Sequence, residues 1–320
     1  MQIFNSIEEV PAGFGPSIVT IGNFDGVHRG HQAVLKDVID RARQLHVRSV
    51  AVTFDPHPVR VVRPQIPLRL ITRLEQKLDW LAQTGIDAVL VLPFTHELSR
   101  LTASEFARTI LRDALKAVEV HEGENFRFGA DARADVSELA SLGREFGFNV
   151  RVHSATQRRG TIVSSSAVRG AIAAGNMRMA RQLLGRPFEI IATPAPGRGY
   201  GSRYTVPTIN FAPYAELLPA NGVYVTCLEL NGERFESVTN VGNRPTFGAE
   251  SFAVETHILD FHPIRLDETT QLRLRFLDRI RAEIAWPSPQ ALKEQIGKDV
   301  TRARHYFALY QALSGLNSEA

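Results

Sequence analysis

The sequence predicts an α/β Rossmann-like domain followed by a small antiparallel β-barrel that carries a C-terminal helix. Three observations predict it. Short apolar runs alternate with segments of helical period through the first half of the chain. After Gly185-Arg186-Pro187 that alternation stops, and short β-like runs broken by Gly, Pro and Asn take over. The length of 320 residues suits two domains of about 150 residues each.

The elements follow in order. Residues 17–21 form a short apolar strand, and a glycine-punctuated turn leads into a helix from Gly30 to Leu45 with Val34, Leu35, Val38 and Ala42 on one face. Strands are predicted at 47–54, 87–92, 118–121 and 149–153, and helices at 74–82, 103–115 and 135–146. Thr102 with Glu105 three residues later is a capping box for the second of these helices. Strands alternating with helices imply a mostly parallel sheet covered on both faces. Two short helices, 164–174 and 177–184, close this part, and the boundary is placed near Gly185, giving domains 1–185 and 186–320. Strands at 223–230, 234–240, 253–260 and 271–276 make the barrel. Ser288-Pro289 starts a final helix, whose stripe of Leu292, Ile296, Val300 and Ala303 is expected to close the barrel.

Composition narrows the function classes. Apolar residues make up 44% and charged residues 22%, ordinary for a globular chain. A net charge of +3 gives no argument for a nucleic-acid partner. Cys227 is the single cysteine, so no internal disulfide forms, and a cytoplasmic location is expected. The first residues carry Glu8 and Glu9 and do not resemble a signal peptide, and no run approaches the roughly 18 apolar residues of a membrane span. No membrane partner is expected, and the sequence leaves oligomeric state open.

The stretch Gly22-Asn23-Phe24-Asp25-Gly26-Val27-His28-Arg29-Gly30-His31 joins the first of these strands to the first helix. This is the carboxyl edge of the sheet, where α/β proteins bind ligands. A helix N-terminus suits phosphate. His28 and His31 share a face of the first turn and can donate to a developing phosphate charge. Gly30 lets a flat base approach the backbone. Incidental surface histidines and a plain glycine turn are the alternative, and zinc is disfavoured because no third ligand stands at metal spacing. Asp55-Pro56-His57-Pro58 ends the second predicted strand at the same edge, unless it is a simple proline turn. In Gly123-Glu124-Asn125-Phe126-Arg127-Phe128-Gly129, Asn125 can read a base edge and Phe126 or Phe128 can stack on a ring, or the two can be core aromatics. Ser164 and Ser165 open a helix with Arg169 one turn on, a second phosphate seat or an ordinary serine cap.

In the second half, Gly197, Gly199 and Gly201 make a loop whose N–H groups can cradle phosphate. Thr208 and Asn210 alternate with apolar neighbours and face the same way, a pair of neutral oxygens suited to Mg²⁺. Glu255 can take a proton from an attacking hydroxyl. Each also fits a turn or a solvated strand face.

Together, G-N-F-D-G-V-H-x-G-H, F-D-P-H-P, G-x-N-F-R-F-G and S-S-x-x-V-R resemble the FMN adenylyltransferase module of the bacterial bifunctional riboflavin kinase/FAD synthetase family, in family order and at family spacing. P-T-I-N, G-V-Y-V, V-G-N-R-P-T-F-G and V-E-T-H-I-L-D-F resemble its riboflavin kinase module, and the likeness covers nearly the whole chain. The resemblance implies that ATP phosphorylates riboflavin to FMN at a six-stranded barrel and then adenylylates FMN to FAD with release of pyrophosphate. It implies that His28 and His31 contact ATP phosphates and that Asn23 positions the nucleotide. Asn125 would sit in the shared pocket, and Ser164, Ser165 and Arg169 would complete the phosphate cradle. Thr208 and Asn210 would hold Mg-ATP, and Glu255 would be the kinase base. The family commonly reads G-R-x-x-G-x-P-T-x-N before the metal strand, where this chain has Ser202 and Thr205 in place of the Arg and the second Gly. An earlier Gly-x-Val is Ala192-Thr193-Pro194 here, and Arg198 and Arg203 can restore the charge. The alternative for the barrel is a flavin-binding or regulatory module. A relative of aminoacyl-tRNA ligases or an RNA binder is a third possibility, disfavoured because no basic stripe interleaved with aromatics is present.

Overall fold

A computed structural model describes residues 1–195, 208–243, 252–284 and 287–316 of the chain. The chain divides into two compact units, Met1–Ala167 and Val168–Ala320.

The first unit holds strands β1 (Gln2–Phe4), β2 (Ser17–Ile21), β3 (Arg48–Asp55), β4 (Ala88–Pro93), β5 (Ala117–Gly123) and β6 (Asn149–His153). Its helices are α1 (Arg29–Leu45), α2 (Pro58–Val62), α3 (Leu74–Ala82), α4 (His96–Arg100), α5 (Ala103–Phe106) and α6 (Val136–Phe146), and β7 (Gln157–Arg158) pairs with β8 (Thr161–Ile162). The sheet order is β1-β4-β3-β2-β5-β6, parallel throughout. Every residue of β2 is buried, as a parallel strand covered on both faces requires. Successive strand residues supply opposite cores. Val50, Val52, Leu90 and Leu92 pack with Phe106, Ile110, Leu111 and Leu139. Ala51, Val89 and Val91 pack with Leu35, Ile39 and Leu81 on the other face. The expected apolar residues of α1 are in place, with Leu35, Val38 and Ala42 buried and Val34 packed with Val38 and Ala42.

The Thr102–Glu105 capping box forms as expected. The helix it opens then widens into a π-helix over Ala107–Ala114, where an α-helix to Leu115 was expected. An i→i+5 ladder leaves no mark in a 3.6-residue apolar pattern.

Strand order reverses at β2, which pairs with β3 on one side and β5 on the other. This is the topological switch point of an open α/β sheet, and the crevice outside the strand ends there is the usual ligand position. The pairing of β2 with β5 runs only to Val19 and Val120. Beyond it the Glu122 carboxyl takes the Ile21 N–H at 2.5 Å, filling the gap that the diverging backbones leave.

Helix α7 (Ser165–Ala173) spans the division between the units. The second unit continues with α8 (Met177–Leu184) and strands β9 (Phe188–Ala192), β10 (Thr208–Asn210), β11 (Gly222–Leu230), β12 (Glu233–Asn243), β13 (Phe252–Ile258) and β14 (Leu272–Ala282), then α9 (Pro289–Leu316). These six strands are antiparallel in the order β10-β13-β12-β11-β14-β9. The two edges meet: Pro194 bridges Phe211, Ala212 N–H donates to Thr193 O at 2.9 Å, and Ala195 N–H donates to Asn210 O at 2.8 Å. The barrel is therefore closed on itself.

Its interior mixes Phe188, Tyr224 and Phe276 with a hydroxyl ladder, in which Thr226 bonds Ser237 and Thr239, and Thr239 bonds Thr256. On the outer face Val223, Val225 and Val238 pack against Ala303 and Phe307 of α9. The expected stripe on α9 is corrected in part. Val300 and Ala303 are in that contact, but Leu292 and Ile296 are 41% and 46% exposed. The stripe seats one to two turns later than predicted, with Phe307 as its anchor. No helix among the described residues is long and apolar enough to cross a membrane.

Candidate functional site

The loop from β2 to α1 is held in an unusual backbone conformation. Phe24 and Val27 have φ of 47° and 38°, a region costly for a β-branched residue. The surroundings over-determine it. Both side chains are buried, and Val27 N–H donates to Phe24 O at 3.0 Å. The buried Asp25 carboxylate accepts the N–H groups of Ile71 (2.9 Å) and Thr72 (3.1 Å), and Gly26 N–H donates to Thr72 Oγ1. Gln32 Nε2 donates to Val27 O at 2.7 Å, and Ser165 Oγ donates to Asp25 O at 2.9 Å. Asp25 is thus a clamp on the loop.

His28 is the N-cap of α1, and its Nδ1 accepts the His31 N–H at 3.3 Å. In the neutral ring this bond assigns the proton to Nε2, which is then the donor. The rings of His28 and His31 stack at 3.6 Å, and Phe24 meets His31 edge-on at 5.0 Å. Gly30 lies close against the His28 ring of this pair. A Cβ there would sit 3.2 Å from His28 Cε1 and Nδ1 and 3.4 Å from Val163 O. At Gly22 a Cβ would meet the Phe24 ring at 3.3 Å. The N-terminal ends of α1 and α7 therefore adjoin, concentrating positive potential at one place.

Asp55 ends β3 and is exposed. His57 repeats the device of His28: it caps α2, its Nδ1 accepting the Val59 N–H at 3.2 Å, with Pro58 at the first helical position. Asn125 is exposed in the turn after β5, where Phe126 N–H donates to Gly123 O. Phe128 lies in the core against Phe106, and Phe126 stacks on it at 5.4 Å, half-buried. Ser164 caps α7 by accepting the Ala167 N–H at 3.2 Å. Arg169 is half-buried on α7, at the start of the second unit.

Sequence reasoning missed Lys77. It is 7% exposed on α3, and its Nζ donates to Thr53 Oγ1 (3.0 Å), Phe54 O (3.2 Å) and Asn23 O (3.4 Å). Burial pulls its ammonium down to about 8, while the nearby charges of Asp55 and Asp25 oppose that shift. Glu122 was missed as well. Full burial pushes its carboxyl well above the usual range, against the lowering effect of the Ile21 N–H.

In the second unit, β10 pairs with β13 so that Thr208 faces His257 and Asn210 faces Glu255. Ile209 points into the barrel, and the half-buried Thr208, Asn210, Glu255 and His257 share the outer face. Asn240 of β12 flanks Glu255 on its other side. Thr208 Oγ1 and His257 Nδ1 are 3.4 Å apart, and burial lowers the His257 pKa, favouring the neutral ring. The register thus places the Thr208 and Asn210 oxygens and the Glu255 carboxylate on one face of the barrel, with neutral hard oxygens of the kind that suit a divalent cation beside a carboxylate that can take a proton. Gly197, Gly199 and Gly201, with Arg198, Ser202, Arg203 and Thr205, lie outside the described residues.

Comparison with known proteins separates the same two parts. Residues 12–167 match the family model of FAD synthetase, and residues 184–307 match that of riboflavin kinase. The bifunctional riboflavin kinase/FMN adenylyltransferase of Pseudomonas fluorescens is 36% identical over 95% of this chain and 97% of its own length. That of Escherichia coli (strain K12) is 36% identical over 91% and 93%. A solved structure described as a macrolide-efflux protein from Streptococcus pneumoniae superposes with a TM-score of 0.82 at 27% identity, covering 95% of this chain and 98% of that one.

Proposed function

Because the chain belongs to the bifunctional riboflavin kinase/FMN adenylyltransferase family and carries both activities, we propose that the two steps run at the two sites just described. Riboflavin and ATP give FMN and ADP, and FMN and ATP give FAD and pyrophosphate. A barrel that only binds flavin is set aside, because the riboflavin kinase match extends over residues 184–307. The adenylyltransferase module occupies 1–185 and the kinase module 186–320.

In the adenylyl step an FMN phosphate oxygen attacks the α-phosphorus of ATP, the bond to the β-phosphate oxygen breaks, and pyrophosphate leaves. Such chemistry needs positioning and charge neutralisation more than a covalent nucleophile. His28 donates from Nε2, and His31 and the α1 N–H groups face the same anion. Ser164 and Ser165 extend the cradle at the start of α7, Asn23 lines it from the loop after β2, Asp55 and His57 line its β3 side, and Asn125 reads the base or flavin edge from the β5 side. The stacked His28–His31 pair at the switch-point crevice is the observation that carries this assignment.

In the kinase step Glu255 accepts the proton of the terminal ribityl hydroxyl as its oxygen attacks the γ-phosphorus of ATP, and ADP leaves. Thr208 and Asn210 would hold Mg²⁺, which supplies charge neutralisation on the ATP phosphates. A cytoplasmic place of work fits the lone Cys227.

The test is chromatography of products from riboflavin, Mg²⁺ and ATP. The parent chain should yield FAD, His28→Ala should stall at FMN, and Glu255→Gln should leave riboflavin untouched yet still convert added FMN. FAD formation from riboflavin at parental rate in either variant removes that residue from its site.

A further inference from the structure

Lys77 belongs to none of the motifs that identify the site, yet it touches both walls of it. The ammonium sits where the loop after β2 meets the end of β3, and it has three oxygens within reach: Asn23 O from the loop, and Thr53 Oγ1 and Phe54 O from β3. Thr53 Oγ1 also donates to Asn23 O at 3.2 Å, so its hydrogen points away from Lys77 and it can only accept from the lysine. Three acceptors around one nitrogen are matched by three N–H donors, which only the charged amine has. Five residues beyond Asn23 stands His28, and one beyond Phe54 stands Asp55.

We propose that Lys77 is a positioning residue for adenylyl transfer, its ammonium tying the histidine loop to the end of β3 so that both walls of the nucleotide site stay in register. The proposal rests on the assignment of FAD formation to the His28–His31 loop. A neutral amine would turn a lone pair toward one of the three oxygens and leave that strand end without its donor. Loss of the proton therefore loosens the loop without unfolding the unit. The charged groups facing Lys77 are Asp25 from the loop and Asp55 from β3, both favouring the ammonium, while burial disfavours it and sets its midpoint at about 8.

Lysine loses its charge as pH rises, so the alkaline side of that midpoint is the inactive side. The kcat/KM for FMN to FAD, which reports groups of the free enzyme, should fall about tenfold between pH 7 and pH 9. The kcat limb should lie higher, because bound phosphates hold the proton on. The kinase step, measured in the same chain as ADP formed from riboflavin, shares ATP and Mg²⁺ as substrates and should lack this limb. Lys77→Met should lower kcat/KM for FAD formation about tenfold at pH 7 and abolish the limb, leaving the kinase step at parental rate.

A merely structural lysine would shift the melting temperature and leave the pH midpoint alone. A flat parental profile from pH 7 to pH 9, or an unchanged midpoint in Lys77→Met, overturns the proposal. The parental profile decides the matter even if the variant fails to fold. His28→Ala separates the two levels. FAD formation at full rate in that variant removes the underlying site assignment, whereas loss of FAD formation beside a flat parental profile removes Lys77 alone.

Discussion

Gly30→Ala isolates geometry from stability. The added methyl would stand 3.2 Å from two atoms of the His28 ring, against the usual 3.5 Å or more between carbons. The ring cannot retreat freely, since His31 stacks on it with centroids 3.6 Å apart. It must shift by a few tenths of an ångström or swing out, and swinging out breaks the cap bond from His31 N–H. A displacement of about 1 Å near a reacting group costs about a hundredfold, so a shift of roughly 0.3 to 0.5 Å should cost about five- to tenfold in FAD formation from FMN. Stability should barely change. Alanine in place of a helical glycine gains up to about 1 kcal/mol, and a weakened N-cap loses about the same. The assay is the rate of FAD formation from FMN and ATP beside a thermal melt, with ADP formed from riboflavin as control. An adenylyl rate within twofold of the parent would show that the close approach at Gly30 is not what places His28. Equal loss of both activities would trace the effect to folding.

Glu122→Gln tests the gap at the switch point. The raised pKa of Glu122 means that the folded state keeps a proton the unfolded chain releases above about 4.5, so stability is full below that value and declines as pH rises toward the folded pKa. Glutamine still accepts the Ile21 N–H and does not ionise. Its melting temperature should match the parent at acidic pH and exceed it increasingly toward pH 8; a difference independent of pH would contradict the burial argument. In the second unit, Arg281 donates from Nε (3.0 Å) and Nη2 (2.8 Å) to Asp299, which is 2% exposed. Arg281→Ala leaves that carboxylate with Gln295 as its remaining side-chain donor, at 2.8 Å, and should destabilise the unit by about 3 kcal/mol. Unchanged thermal unfolding of the unit would refute it.

The β2–α1 segment was legible because its signals are local: an apolar run, a glycine turn and a helix period, in order. The same holds for the Thr102 cap and for β6 and α8, whose ends agree to the residue. Lys77 was illegible for the opposite reason. It lies between Leu74 and Leu81 on a nine-residue helix, where a lysine ordinarily signals a solvated face. What buries it is a set of oxygens on Asn23, Thr53 and Phe54, at least 23 residues away in sequence. Glu122 was illegible in the same manner. Alternating polar residues suggest one wet face, but a sheet covered on both sides has none, so Glu119 and His121 pair with each other at 2.7 Å and Glu122 caps a neighbouring strand.

The kinase face marks the same limit from another side. Two-residue alternation put Thr208 and Asn210 on one face, but which face, and beside what, depends on the register with β13. That register brings His257 to Thr208 across 49 residues of chain. The same edge of the barrel bridges Pro194 to Phe211, another pairing that no local pattern encodes. Sequence pattern thus specifies which chemistry each strand end carries, while the positions of the groups that hold it in place follow from non-local pairing. Residues found only through structure, Lys77 and Glu122, are for that reason supporting groups, and substitutions there should separate positioning from chemistry more cleanly than substitutions within the motifs.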